Sequence, residues 1–366
     1  MKKAVILNSR QGLRPLGSDS WVKATEKAVR YAGKNDLEVL TSVGQKTWEV
    51  ILYFVSRYDV AATVCLPLAG GSDQKKIRNF YRRQYRLKEG KTRFRFIEVS
   101  GHRDRVAFQA RRDQILTDAA DIIFPVSIRP EGTLDQLLQT INSAETVLDD
   151  RFRIDYNPIS RSSHLEIDPE RINPEIDRLI DRHLIHWTRS FNRPWPGETC
   201  FKFYSDLVAA EDCWPRCGLD TLLHILDEGK IRAASGPYRH GLAAVAFSSL
   251  KPSEAVPLMK WRARYRRMTF EPYGVAIPAD EAAGRKVWKV FYGNPEMYDY
   301  LEGAERPYFQ SMGTVGCWQP EQEHRHIGDF SLAGVPDKAL VVIVRSPDEC
   351  NRVGERFSGR IVSMTI

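Results

Sequence analysis

Residues 38–57 read EVLTSVGQKTWEVILYFVSR, and this stretch decides the fold of the first half of the chain. Its first five residues form a short, largely apolar run that is typical of a buried strand. A glycine turn follows, and a helix is predicted from about residue 47 to residue 57. A strand that leads through a tight turn into an amphipathic helix is the repeating unit of a parallel α/β sheet.

The same alternation continues on both sides of this stretch and predicts a Rossmann-like domain over residues 1–148. Predicted strands occupy residues 4–7, 38–42, 62–66, 93–99 and 121–126. Predicted helices occupy residues 20–32, 47–57, 72–88, 103–119 and 132–148. The predicted fold class is therefore α/β, with a parallel sheet covered by helices on both faces.

The second half predicts a mixed α+β domain over residues 175–366, after a polar linker over residues 149–174. Helices are expected at 174–184, 219–226 and 260–267, and strands at 243–247, 274–277, 287–291 and 339–344. Residues 186–198 read HWTRSFNRPWPGE, a loop rich in Trp, Arg and His. Such a loop serves either as a binding site or as an aromatic anchor for its domain, and the sequence leaves both open.

The composition indicates a cytoplasmic protein without a membrane segment. Hydrophobic residues make up 42% of the chain, yet no apolar run approaches the roughly 20 residues that a membrane helix needs. The opening MKKAVILN has an apolar stretch too short for a signal peptide, and it predicts a strand instead. The six cysteines are sparse and unevenly spaced, which is typical of a reducing compartment and not of a disulfide framework.

Basic residues are concentrated in one segment of the first half. Residues 75–95 contain ten Lys and Arg against one acid, with Phe and Tyr interleaved. Basic side chains neutralise phosphates and aromatic rings stack on bases, so this segment predicts a nucleic-acid interface. The alternative is a solvated helix face whose aromatic rings point into the core. The predicted contacts, including two from the basic segment 260–267, are Lys75, Lys76, Arg82, Arg83, Arg86, Arg262 and Arg266.

Polar turns at residues 8–10, 42–49 and 129–134 follow three of the predicted strands. In a parallel sheet such turns meet at one edge, where helix N-termini offer free N–H groups to anions. The pattern predicts a phosphate-bearing ligand there, although Gly and Ser also occur at such turns for backbone reasons alone. The candidate contacts are Ser9, Arg10, Gly44, Thr47, Gly132 and Thr133.

Four motifs stand out in the first half: SVGQKTWE at 42–49, RDQIL at 112–116, ADII at 120–123 and GTL at 132–134. Together they resemble the SLOG superfamily, which includes DNA-processing protein A and the Lonely Guy phosphoribohydrolases. The resemblance covers about residues 1–146 and implies that Arg112, Gly132 and Thr133 hold a phosphate. In the Lonely Guy enzymes a glutamate after the GT turn performs hydrolysis, but Gln136 stands at the suited position here. A neutral amide cannot act as a general base, so the resemblance implies binding and not hydrolysis by this domain.

The second half contains four further motifs: DTLLHILDEGKIRAAS at 220–235, VAFSS at 245–249, FEPYGVAI at 270–277 and EQEHRHIGD at 321–329. Over about residues 186–348 the chain resembles the abortive-infection AbiGi-like family. The first motif is also similar to a segment of DarT-type DNA ADP-ribosyltransferases. Both resemblances imply a place in phage defence or DNA modification.

The acidic motif near the end of the chain contains the predicted catalytic carboxylate, Glu323. Neighbouring charges are expected to tune its pKa toward neutrality, with His324, Arg325 and His326 as its partners. The alternative is an exposed ion-pair cluster of little consequence. The predicted substrate-binding residues are His186, Arg189, Arg232, Tyr273 and Tyr292.

No metal is predicted for this site. Cys200, Cys213 and Cys217 are the candidates for zinc, but their spacing is not one of the familiar zinc patterns. Small buried cysteines are the simpler interpretation of the same residues.

These features predict a DNA-linked enzyme with hydrolytic or hydrating chemistry on a base or nucleotide. One example is the conversion of a 7-cyano-7-deazaguanine base in DNA to its amide. The alternatives are a non-catalytic nucleotide sensor and an ADP-ribosyltransferase-like toxin that acts on nucleic acid. The expected partners are DNA, a nucleotide or base, and other proteins of the same defence or modification system, with no membrane.

Overall fold

The computed structural model of the chain describes residues 1–99, 105–141, 145–162, 164–234, 241–263, 266–312 and 319–366. The chain divides into two compact units, of which the first consists of Met1–Arg161 and Glu198–Pro215. The second unit consists of Ser162–Gly197 and Arg216–Ile366. No helix in the described ranges is long and apolar enough to cross a membrane.

The division differs from the sequence-based one in the segment Glu198–Pro215, which was expected in the second domain. This segment contains a helix over Cys200–Ala209, whose side chains Phe203, Tyr204 and Leu207 are buried in the core of the first unit. The aromatic and aliphatic residues of that helix therefore belong to the core of the first unit.

The first unit is a parallel α/β sheet, as the alternation of strands and helices predicted. In the described residues its strands are β1 Lys3–Asn8, β2 Glu38–Ser42, β3 Ala62–Ala69, β4 Thr92–Val99, β5 Ile122–Ser127 and β6 Val147–Leu148. Its helices are α1 Ser20–Lys34, α2 Lys46–Arg57, α3 Gln74–Tyr85, α4 Arg105–Asp118 and α5 Thr133–Gln139, and α7 is the helix Cys200–Ala209. The six described strands are parallel and run in the order β4-β3-β2-β1-β5-β6. The Rossmann-like fold class is confirmed.

The predicted helix over residues 132–148 is wrong in its second half. Helix α5 ends at Gln139, and Val147 pairs in parallel with Ile122 to add a sixth strand to the sheet. This short apolar segment becomes a strand because it pairs with β5, and the local sequence pattern contains no information on that pairing. The predicted start of α4 at residue 103 lies outside the described residues.

The second unit is a mixed α+β structure, and this prediction is also confirmed. Its described strands are β7 His183–Trp187, β8 Lys230–Ile231, β9 Ala244–Ser248, β10 Trp261–Arg262, β11 Arg267–Met268, β12 Gly274–Pro278, β13 Trp288–Lys289, β14 Phe291–Gly293, β15 Phe309–Ser311, β16 Glu323–Ile327, β17 Phe330–Ser331, β18 Val341–Val344 and β19 Arg360–Ser363. Its described helices are α6 Ile176–Leu179, α8 Gly218–Glu228, α9 Pro252–Ala255, α10 Ala279–Gly284 and α11 Asp348–Gly354. The main described sheet has the order β13-β16-β9-β7-β12-β18-β19, antiparallel except for the pair β18-β19.

Two predicted helices of this unit are wrong. The helix expected over 174–184 is reduced to α6, because the chain enters strand β7 at His183. The helix expected over 260–267 is an antiparallel hairpin in which Trp261 pairs with Met268 and Arg262 with Arg267. Residues 264 and 265 of that segment lie outside the described residues. In both places strand pairing overrides the local helical pattern.

Candidate functional site

The carboxyl ends of β1, β2 and β5 lie at one edge of the parallel sheet. The strand order reverses at β1, so this edge contains the switch point at which such sheets bind ligands. The turns after β1 and β5 touch: the Ser9 hydroxyl accepts a hydrogen bond from the backbone N–H of Arg129 at 2.9 Å. Arg10 is exposed beside them, and its carbonyl accepts from the Tyr156 hydroxyl at 2.8 Å.

A carboxylate of the chain itself lies at the start of α2. The backbone N–H of Gly44 donates to Glu49 Oε1 at 3.0 Å, and the Tyr204 hydroxyl donates to Oε2. Gly44 has φ +88°, a left-handed conformation that glycine adopts without steric cost. Thr47, in the first turn, is buried, and its hydroxyl has no hydrogen-bond partner among the described residues. The turn therefore has the geometry of an anion site, with Glu49 as the anion.

Arg112 is held in place by its neighbours at the same edge. Its side chain is 1% exposed, and Nε and Nη2 donate to Asp113 Oδ1 at 2.8 and 2.7 Å. Its Nη1 also donates to the carbonyl of Val43 at 3.4 Å, which ties α4 to the turn after β2. Burial raises the pKa of Asp113, and the arginine opposes this by lowering it. A ligand phosphate would have to displace this ion pair to reach Arg112.

Gly132 and Thr133 begin α5 at the far side of the switch point. The N–H of Gly132 donates to the carbonyl of Arg129 at 3.1 Å, and Thr133 is exposed. The structure thus gathers the residues predicted to bind a nucleotide at one sheet edge. At this edge the carboxylates of Glu49 and Asp113 already bind the Gly44 N–H and the Arg112 guanidinium, the groups that a phosphate would contact.

A cavity of about 670 Å³ lies within the second unit. Its walls come from β7, β9 and β16 of the main sheet, from α8, from the hairpin β10-β11 and from the loop after β7. The volume falls within the range of small-molecule sites. The loop that the sequence singled out as rich in Trp, Arg and His therefore lines a cavity.

The cavity is basic and aromatic. The basic side chains that line it in the described part of the chain are Arg189, Arg193, Lys230, Arg232, Arg262, Arg267 and Arg325. The lining carboxylates in that part are Glu228, Glu321 and Glu323, and the aromatic residues include Trp187, Phe191, Trp195, Phe247 and Phe270. Positive charge beside aromatic surface suits a ligand with both a phosphate and a planar ring.

Glu321 is the most perturbed carboxylate of this cavity. Burial, together with the negative charge of Glu323, raises its pKa to about 7. Arg262 and Arg189 oppose the increase through their positive charges. A carboxyl group with a pKa near neutrality can both donate and accept a proton under physiological conditions.

Glu323, the carboxylate that the sequence favoured, is clamped by Arg325. Arg325 Nε donates to Glu323 Oε1 at 2.7 Å and Nη2 donates to Oε2 at 2.9 Å. The remaining guanidinium N–H groups donate to the carbonyls of Pro307 and Phe309 and to Gln310 Oε1. Glu323 is therefore part of an ion pair that ties β16 to the segment around β15. Glu321 lies in the same acidic motif, but the prediction from sequence did not include it among the catalytic residues.

His186 is a neutral imidazole on the cavity wall. Burial, together with the positive charge of Arg189, lowers its pKa to about 4, and the hydrogen bond to Ala246 acts in the opposite direction. Its Nδ1 lies 2.8 Å from the carbonyl oxygen of Ala246, so Nδ1 carries the proton of the neutral ring and donates it to this bond. The other ring nitrogen, Nε2, is then a hydrogen-bond acceptor.

His324 and His326 lie away from the cavity lining in the described ranges, because side chains alternate along β16. His326 Nδ1 lies 2.9 Å from the carbonyl of Arg285, and its ring packs on Phe330. Burial lowers the pKa of His324. The predicted grouping of these two histidines with Glu323 is therefore divided between the two faces of one strand.

The predicted substrate-binding residues are similarly divided. His186, Arg189 and Arg232 line the cavity, with Arg232 ion-paired to Glu228 and Asp329. Tyr273 and Tyr292 are not among the described residues that line the cavity. The hydroxyl of the buried Tyr273 donates a hydrogen bond to Glu349, and the hydroxyl of Tyr292 accepts one from the backbone N–H of Glu323. Burial raises the pKa of Tyr273 well above its ordinary value.

The residues predicted to bind nucleic acid belong to both units. Arg262 lines the cavity, with Nε donating to the Thr269 hydroxyl at 2.9 Å, and Arg266 is exposed in the hairpin turn. The other predicted contacts belong to the first unit, on or directly after α3, and are Lys75, Lys76, Arg82, Arg83 and Arg86.

The three cysteines considered for zinc have separate surroundings. Cys213 is exposed, and Cys217 caps α8, with its thiol donating to Asp220 Oδ2 at 3.0 Å. Burial raises the pKa of Cys200 to about 11. In the ranges that the structure describes, no group of three or more His, Cys, Asp or Glu is placed to hold a metal ion.

No model of a known protein family matches the chain. A search of curated proteins finds no match either. The resemblances to the SLOG superfamily and to the AbiGi-like family stay predictions.

Proposed function

We propose that the second unit is an enzyme that binds a phosphate-bearing nucleotide, free or within DNA, in its basic and aromatic cavity and adds water to the base or nucleotide. The observation that carries this proposal is the position of one partly buried carboxyl group, Glu321, among the basic side chains of a ligand-sized cavity. Basic groups hold phosphate, aromatic groups contact a ring, and the carboxyl group moves a proton.

Glu321 has the acid-base role in this proposal. Its pKa of about 7 divides it between protonated and ionised forms at neutral pH, so it can give a proton in one step and take one back in another. Arg189 and Arg262 hold the anionic part of the ligand near it. His186 accepts a hydrogen bond from the ligand through Nε2, because Nδ1 is committed to Ala246.

The first substrate to test is a 7-cyano-7-deazaguanine base, which the expected link to DNA modification suggests. Water adds to the nitrile carbon while Glu321 gives its proton to the nitrile nitrogen. Glu321 then takes a proton from the added water, and the resulting imidic acid rearranges to the amide. The amide contains the atoms of the nitrile and of one water molecule, and no group is transferred to or from a cofactor. The reaction therefore requires only an acid-base group and a cavity of the size of a base.

The test compares DNA from cells that carry the wild-type gene, no gene, Glu321→Gln or Glu296→Gln. Nucleosides from the digested DNA are identified by mass spectrometry. Glu296 is exposed and outside the cavity lining in the described ranges, so its variant controls for the loss of one carboxylate. We expect the amide nucleoside with the wild type and the control, and a decrease of about 100-fold or more with Glu321→Gln.

Two other outcomes separate the alternatives. Binding of a nucleotide by the purified protein without any turnover would replace the enzyme by a sensor. Consumption of NAD with transfer of ADP-ribose to nucleic acid would replace hydration by ADP-ribosyl transfer. Undiminished product with Glu321→Gln would refute the assignment of the acid-base group.

A further inference from the structure

Helix α3 of the first unit has two different faces. Ile77, Tyr81 and Tyr85 are at least partly buried and pack against the core cluster. The opposite face is exposed over its whole length and consists of Lys75, Lys76, Asn79, Phe80 and Arg83. We call these five residues the α3 face. Helical spacing places them on one side of the helix within an arc of about 140°.

The cations of the α3 face are not neutralised by the protein. Lys75, Lys76 and Arg83 have no ion-pair partner in the described part of the chain, whereas the adjacent Arg82 pairs with Glu89 at 2.8 Å. The nearby carboxylate of Asp73 caps the helix, accepting from the backbone N–H groups of residues 75 and 76. Three uncompensated cations on one helix face create a local positive potential that attracts anions.

An aromatic ring lies among these cations. Phe80 is 48% exposed, and its ring touches Tyr81 edge-on at a centroid distance of 5.2 Å. Phe80 lies one helical turn after Lys76 and one helical turn before Arg83, so cations flank its ring on both sides along the helix. An exposed ring flanked by cations is the combination on which unpaired bases stack while their phosphates are held.

We propose that the α3 face binds single-stranded nucleic acid, with Lys75, Lys76 and Arg83 on phosphates and Phe80 stacked on a base. Residues 75 and 83 lie about 12 Å apart along the helix axis, which is long enough to contact more than one phosphate of a single strand. Arg82 and Arg86 are also predicted nucleic-acid contacts, but both have other partners in the structure. Arg82 pairs with Glu89, and Arg86 lies over the Phe201 ring. This inference concerns the first unit and does not rest on the proposed function.

The first experiment measures binding of a fluorescent single-stranded oligonucleotide of about 20 nucleotides by anisotropy, at several salt concentrations. The test variant is Lys75→Glu with Lys76→Glu and Arg83→Glu. The matched control is Lys23→Glu with Lys27→Glu and Lys34→Glu, which changes three exposed lysines of α1 in the same unit. Both variants are first shown to be folded by circular dichroism.

We expect the test variant to weaken binding by about tenfold or more at low salt, and the slope of log K against log salt to decrease by about 2. At about 0.1 M salt the control changes binding by less than about threefold, because charges that do not contact the oligonucleotide are screened over about 10 Å. Equal losses in both variants, or an oligonucleotide that does not bind at all, would overturn the proposal.

A second variant tests the stacking independently of charge. Phe80→Ala should weaken single-strand binding by about fivefold or more while leaving the salt slope unchanged. Tyr300→Ala removes another exposed aromatic ring, 90% exposed and in the second unit, and should have no effect. If the protein prefers a duplex to the single strand and Phe80→Ala does not change binding, the assignment to single-stranded nucleic acid is overturned. The substituted residues of the α3 face belong to the first unit and do not line the cavity of the second unit, so this test succeeds or fails separately from the proposed function.

Discussion

The raised pKa of Glu321 has a measurable consequence for stability. The unfolded chain loses the Glu321 proton near the ordinary value of 4.5, whereas the folded protein retains it up to about pH 7. Between these values the folded state binds more protons than the unfolded state, so the free energy of unfolding falls as the pH rises through this window. An increase from 4.5 to about 7 corresponds to about 3 kcal/mol at most.

Glu321→Gln removes this contribution, because an amide does not titrate. We expect the difference in free energy of unfolding between variant and wild type to be constant below pH 4.5. Between pH 4.5 and pH 7 this difference shifts in favour of the variant by up to about 3 kcal/mol, and above pH 7 it is constant again. Any pH-independent effect of the substitution cancels, since only the change with pH is compared.

The assay is urea unfolding at a series of pH values from 4 to about 8.5, followed by circular dichroism. With two units, the analysis uses the transition that the substitution moves. Glu296→Gln is the control for the loss of one carboxylate, because Glu296 is exposed and does not line the cavity in the described ranges. A difference between Glu321→Gln and wild type that does not change with pH would refute the raised pKa of Glu321 and, with it, the acid-base role.

Two further predictions concern the neighbours of Glu321. Arg325→Met leaves Glu323 without the cation that clamps it and should lower the free energy of unfolding by about 3–5 kcal/mol in the same urea assay. The control is Arg182→Met, at a side chain that is 92% exposed, which should change the free energy of unfolding by less than about 0.5 kcal/mol. A decrease below about 1 kcal/mol for Arg325→Met would mean that the ion pair with Glu323 is not formed. His186 should show no titration between pH 5.5 and pH 8 by NMR, because burial lowers its pKa to about 4, and a midpoint in that interval would contradict the neutral imidazole.

The alternation of strands and helices in the first half could be predicted because each signal is local. Strand β2, the glycine turn and helix α2 all fall within residues 38–57, and their bounds agree with the prediction to within one residue. Strand β6 could not be predicted in this way, since it is two residues long and exists only through its pairing with β5. The hairpin β10-β11 is likewise defined by a pairing and not by periodicity.

The candidate site shows the same limit. The sequence identified the loop after β7 and the acidic motif, and the fold brings His186, Arg189 and Glu323 to one cavity. Residues 323–327 form a strand, and side chains alternate between the two faces of a strand. Glu323 and Arg325 therefore lie on one face and His324 and His326 on the other, a separation that the prediction did not include. The pKa of Glu321 depends on burial by distant segments, and no local pattern contains that information.

The two carboxylates of the acidic motif act as one electrostatic unit. Glu323 is fixed by the clamp of Arg325, and its negative charge helps to keep the proton on Glu321. Arg189 and Arg262 act in the opposite direction, and they are the cations that an anionic ligand would engage. A phosphate that pairs with them cancels the charges that lower the pKa of Glu321, so the carboxyl group holds its proton more firmly when the ligand is present. In the proposed reaction, ligand binding therefore itself prepares the proton donor, before any chemistry begins.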